Sequence, residues 1–116
     1  MPPRNDLLSL ARSFPTLAGA PSEFFAIRSG GAVGFTEDGA VRFARWNRET
    51  GGGGQRDAAL FVLSVWNRET DWRELAGLSR DDGPTGGTFD VHRSLGNWDR
   101  GHRAAFLAWA ADPWWL

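Results

Sequence analysis

Cysteine is absent from this chain. That excludes disulfides, iron–sulfur ligation, thiolate zinc sites and cysteine nucleophiles together, and it fits a reducing, cytoplasmic setting. Lysine is absent as well, because all thirteen basic residues are arginine. No Schiff base, phosphate-loop lysine or lysine general base can therefore be built. Tyrosine is also missing, which closes phenolic acid–base and nucleophilic chemistry. Long apolar runs are lacking: the longest, Ala104–Ala111, is eight residues, against the ~18 that a membrane span needs. Met1-Pro2-Pro3-Arg4-Asn5-Asp6 carries prolines and charges where a secretory signal has an apolar stretch. Neither sign of charge dominates, since thirteen arginines against fourteen acids leave −1, too little to draw in nucleic acid or an anionic membrane. A soluble, cytoplasmic protein with no membrane partner is expected.

What is present suits one globular domain spanning 1–116, because 116 residues with 41% apolar and 23% charged side chains leave room for a single core. Seven Trp and eight Phe are an unusual supply of large rings. The excess of Arg, Ala, Gly, Asp and Trp reads as GC-rich coding and carries no function.

The spacing of apolar residues predicts a mainly α fold, a small bundle of four or five short helices with one candidate β-hairpin over about 32–43. Asn5 is placed to cap a helix carrying Leu7, Leu8, Leu10, Ala11 and Phe14, which Pro15 ends. A short apolar stretch, Phe24–Ile27, stops at Gly30-Gly31. Val33 and Phe35 alternate, Asp38-Gly39 follows, and Val41 and Phe43 alternate again, the pattern of a hairpin with a two-residue turn. The rival is a helix from Ala40 to Thr50 ended by Gly51, so 40–50 stays open between strand and helix. Gly51–Gly54 reads as a hinge and 51–55 as a flexible loop. A helix from about Arg56 to Thr70, apolar on every side over Ala58–Leu63, is expected at the centre of the core. It is expected to continue after a bend over 71–78, before a mobile loop over 79–88. Thr88 then caps a short helix ended by Gly96, and a last helix runs from about Trp98 to Ala111, with Asp99 near its start and Pro113 beyond its end.

Four titratable residues have spacing that suits catalysis: Asp90, His92, Asp99 and His102. Imidazole with carboxylate suits zinc, manganese or non-haem iron, and a His oriented by an Asp suits general-base work. His92 and His102 are the metal candidates. The spacing lacks any tight metal motif, and both acids are equally explained as helix caps. Glu49 and Glu69, considered as a glycosidase pair, have arginine neighbours that favour ionised carboxylates, and nothing argues for the raised pKa an acid catalyst needs. No cofactor is implied. The pentapeptide Trp-Asn-Arg-Glu-Thr occurs at 46–50 and 66–70 with unmatched flanks, which falls short of a stacked repeat.

Two further features suit binding. Trp114-Trp115-Leu116 ends the chain. These indoles either fold back on their own domain or anchor a partner, since Trp is enriched at interface centres. Arg42, Arg45 and Arg48 share a side of a helix with Trp46 close by, a combination that suits phosphate contact and base stacking. The function expected from these residues is non-enzymatic: an interaction or regulatory protein that binds a protein partner, or itself, through a Trp/Arg-rich surface. A single-stranded nucleic-acid-binding module and a small metal-dependent hydrolase centred on His92 and His102 are the alternatives.

Overall fold

The computed structural model describes residues 5–50, 53–67 and 89–116. Helix α1 (Leu7–Ser13) is capped by Asp6, whose carboxylate accepts the Ser9 N–H at 2.9 Å. Asn5, the expected cap, instead lies at φ 60 and offers its carbonyl to the Val33 N–H at 2.8 Å. Leu7, Leu10, Ala11 and Phe14 are buried, and Pro15 opens a 3₁₀ turn, Pro15–Leu17.

The hairpin exists, one element earlier than local alternation places its turn. Strands β1 (Phe25–Ile27) and β2 (Val33–Phe35) pair antiparallel in the register Phe25↔Phe35, Ala26↔Gly34, Ile27↔Val33. Gly30 and Gly31, at φ 80 and 82, make the reversal between them, a backbone region that suits glycine. Asp38-Gly39, expected as the hairpin turn, stands at the start of helix α2 (Gly39–Thr50). The reason lies in the period. Ala40, Phe43, Ala44 and Asn47 are the buried positions, spaced i, i+3, i+4, i+7 as one face of a helix. Val41 and Phe43 alone mimic a strand.

Helix α3 (Gly53–Trp66) begins earlier than expected, so Gly53–Gln55 form its first turn rather than the end of a 51–55 loop. Ala58–Leu63 and Val65 are all buried, which makes α3 the central helix that its all-round apolar sequence requires. The helix expected to run to Thr70 is described to Trp66, with Asn67 beyond it; residues 51–52, 68–70, the continuation over 71–78, the 79–88 loop and the Thr88 cap lie outside the described residues. Helix α4 (Val91–Asn97) is capped by Asp90, which accepts the Arg93 N–H at 2.9 Å, and Gly96 lies inside it rather than ending it. Helix α5 (Arg100–Ala110) is capped by Asp99.

The described residues thus form a mainly α fold of five helices and one two-stranded hairpin. Phe61 of α3 sits among Phe14, Phe89, Phe106 and Trp109 at ring separations of 4.9–5.7 Å. Each such ring removes ~150–250 Å² from water, so a few of them supply a core that a small chain otherwise lacks. Asp57 is also buried in α3, where its carboxylate accepts from Arg93 Nε at 2.8 Å and Asn97 Nδ2 at 2.9 Å. That ion pair fastens α4 to the central helix. Among the described residues no helix is long and apolar enough to cross a membrane.

Candidate functional site

Of the four residues with catalytic spacing, Asp99 and His102 are joined side chain to side chain. His102 is buried, stacked near Trp98 and Phe14. Its Nδ1 lies 2.8 Å from Asp99 Oδ1 and its Nε2 lies 2.7 Å from Thr16 Oγ1. The ionised carboxylate can only accept, so Nδ1–H donates to it, and the Nε2 of a neutral ring accepts from the Thr16 hydroxyl. Carboxylate, imidazole and hydroxyl in that order form the chain by which a general base activates a nucleophile. Here the same Asp99 oxygen also accepts the His102 N–H at 2.9 Å as the cap of α5, and the chain ties α5 to the Pro15–Leu17 turn. Both ring nitrogens are committed within the fold.

The metal candidates are not assembled. His92 is exposed on α4, and Asp90 serves as that helix's cap. Among the described residues, no group of three or more His, Asp or Glu side chains gathers as an ion would require. Both acids are held below the ordinary aspartate value of 3.8. For Asp90 the first cause is the Arg93 backbone N–H, and for Asp99 it is the His102 backbone N–H followed by the His102 ring. These are the shifts of helix caps, which favour the charged form.

The chain end folds back. Trp114 is buried and its carbonyl accepts the Trp109 indole N–H at 3.0 Å. The Leu116 N–H donates to the Val65 carbonyl at 3.0 Å. Trp114 is therefore a core residue in this fold. Trp115, edge-on to Trp109 with ring centroids 5.2 Å apart, and Leu116 stay partly exposed.

Arg42, Arg45 and Arg48 are exposed on α2. Arg42 meets Glu23 at 3.5 Å and lies over the Phe24 ring. Trp46 is laid against Phe43, with centroids 6.0 Å apart and planes 25° apart, so its face is turned to the core cluster. The two pentapeptide tryptophans have unlike surroundings, because Trp66 packs edge-on to Phe35 at 5.6 Å and carries Arg28 over its ring at 5.0 Å. Residues 68–70 of the second copy, Glu69 among them, lie outside the described residues.

Trp66 and Arg28 border an open cleft of about 1070 Å³. Its lining comes from Ala26, Ile27 and Arg28 at β1, Thr36 and Glu37 after β2, Asn67 and Leu116. Arg28 Nη1 donates to the Phe35 carbonyl at 3.2 Å, which holds the guanidinium against the indole. Ile27 is the most exposed large apolar side chain of the described residues, at 80%. Its backbone is open as well. The Arg28 N–H bonds the Ala32 carbonyl and the Thr36 N–H bonds the Phe24 carbonyl, so even-numbered β1 residues point their polar groups at β2. By the antiparallel alternation the Ile27 N–H and C=O then face the opposite way, onto the free strand edge.

Ile27, Arg28, Glu37 and Trp66 escape sequence reasoning. Ile27 reads as the tail of an apolar stretch and Trp66 as half of a repeat. The one usable signal is that a strand of three residues places an isoleucine next to an arginine, with no proline to guard the edge. No protein-family model matches the chain, and no curated protein or solved structure matches it either, so the functional reading rests on these residues alone.

Proposed function

We propose that this chain is a non-enzymatic interaction protein that takes a protein partner at the Trp/Arg-lined cleft beside β1, in a reducing, cytoplasmic setting. One observation carries the reading: an 80% exposed isoleucine stands on an open strand edge beside the Arg28–Trp66 stack. An extended partner segment finds there backbone groups to pair with, an apolar side chain to cover and a guanidinium held in place by an aromatic face. Covering Ile27 alone is worth ~1.5–3 kcal/mol. The test is quantitative capture from a lysate with the wild type and with Ile27→Asp, both checked for an unchanged helical circular dichroism spectrum. Support is a polypeptide retained by the first, lost by the second, and titrating with the purified wild type in a calorimeter. Retention of the same polypeptides by both overturns it.

A second reading, binding of single-stranded nucleic acid, is favoured by the exposure of Arg45 and Arg48. It requires oligonucleotide binding that weakens steeply with salt, and it falls if none is seen at low ionic strength. Trp46 packed on Phe43 and Arg42 beside Glu23 count against it.

A further inference from the structure

We propose that the Thr16 hydroxyl is a nucleophile that takes one acyl group from an activated ester, with His102 as its general base and Asp99 positioning the ring. This is a single transfer to the chain itself, without turnover. Neither Thr16 nor His102 lines the cleft beside β1, so the two sites stand or fail separately.

The three groups come from two distant segments and meet in order. Asp99 Oδ1 lies 2.8 Å from His102 Nδ1, and His102 Nε2 lies 2.7 Å from Thr16 Oγ1. Both distances are those of a base within reach of its nucleophile and held by a third group. Gly101 permits the approach, since a Cβ there would fall 3.0 Å from Pro15 Cγ. The turn that carries Thr16 therefore rests on the first turn of α5. Burial changes along the array as the reaction needs. The imidazole is buried beside the Trp98 and Phe14 rings, which hold its orientation. Thr16 is exposed at the outer end, where a molecule arriving from solvent meets it. Asp99 is ionised at neutral pH, held below the usual aspartate value by the His102 backbone N–H and ring. Its charge favours the imidazolium that forms in the reaction. The same charge repels a phosphate dianion and leaves a neutral ester carbonyl unopposed.

The step balances. An Oγ1 lone pair attacks the ester carbonyl carbon while the hydroxyl proton passes to Nε2. The tetrahedral intermediate then collapses, the bond from that carbon to the leaving oxygen breaks, and the proton on Nε2 moves to that oxygen. The products are a Thr16 ester, an alcohol and a neutral imidazole, and nothing is oxidised or reduced.

Composition makes the test selective, because no Cys, Lys or Tyr competes for the acyl group. The full chain is treated with 4-nitrophenyl acetate, quenched in acid, and mapped by peptide mass spectrometry. Counting acetylated residues rather than released phenol leaves out ester that the exposed His92 ring hydrolyses. Thr16 is expected to be acetylated at least about a hundredfold faster than Thr36, whose hydroxyl meets the Asp38 carboxylate at 3.5 Å in place of an imidazole. Thr16→Ser should keep the adduct at position 16, and Thr16→Val should lose it. Asp99→Asn keeps a helix cap and should slow acetylation at least about tenfold, a loss that a purely structural bond would not produce. His102→Gln, checked by circular dichroism, should remove the advantage over Thr36; if that variant does not fold, Asp99→Asn decides. Thr16 reacting no faster than Thr36 overturns the proposal. So does an unchanged rate in Asp99→Asn, or an advantage that survives in folded His102→Gln.

Discussion

Arg93 of α4 donates its Nε–H to the carboxylate of Asp57 in α3 at 2.8 Å, and Asp57 is completely buried while Arg93 keeps some contact with solvent. Removing the arginine therefore strands a charge inside the core, where among the described residues the Asn97 amide at 2.9 Å is left to answer it. Arg93→Ala is expected to cost about 3–5 kcal/mol, the range for breaking a buried pair from one side. Adding Asp57→Asn to that variant should recover part of the loss, because a neutral amide needs no counter-ion. Urea unfolding of the single and double variants measures both.

Gly34 leaves the space in which Trp66 lies. A Cβ there would fall 2.5 Å from the indole and 2.8 Å from Arg28 Cδ. Gly34→Ala is expected to destabilise by about 1–3 kcal/mol through overpacking. The loss should shrink when Trp66→Ala is added, since the obstructing ring is gone. Thermal unfolding across the double-mutant cycle decides it, and full additivity would show that Trp66 is not the obstacle.

Asp90 and Asp99 should govern part of the acid limb of stability. Both carboxylates titrate lower in the fold than the unfolded value of 3.8. Their contribution is complete above that value and disappears as pH falls through the lower, folded one. Asn also caps helices well, so Asp90→Asn and Asp99→Asn should keep much of the stability at neutral pH while flattening its decline in acid. Unfolding free energies measured against pH in urea give the comparison. An unchanged acid slope would contradict the assignment.

The terminal tryptophans should separate cleanly. Trp114 is buried and Trp115 is 48% exposed. Trp114→Ala is expected to cost about 3–5 kcal/mol, as large-to-small changes in a core do. Trp115→Ala should cost only about 0.5–1.5 kcal/mol, the worth of its edge-on contact with Trp109. Melting temperatures of the two variants are the measurement, and equal losses would mean that Trp115 shares the core role.

Several elements are legible in the order of the residues. Ala58–Leu63 has no polar face, which forces a central helix, and Asp99 three residues before His102 marks the start of α5. The hairpin is harder. Val33 and Phe35 alternate whichever way they pair, and nothing local says that Phe35 opposes Phe25 rather than a residue after Asp38-Gly39. The candidate site is harder still. His102 finds Thr16 across 86 residues of chain, and the cleft joins β1, the end of α3 and the chain end.

Composition and local spacing by themselves determined which reaction chemistries are closed to this chain and that it is mainly helical with a buried α3. Those properties depend on side-chain identity and on neighbours within one or two turns. Tertiary structure alone decided that Trp114 faces inward, that Asp57 meets Arg93, and that Ile27 is left on an open edge beside Arg28 and Trp66. Each of these is settled by contact between distant segments competing for the same buried volume, a competition that no local pattern records.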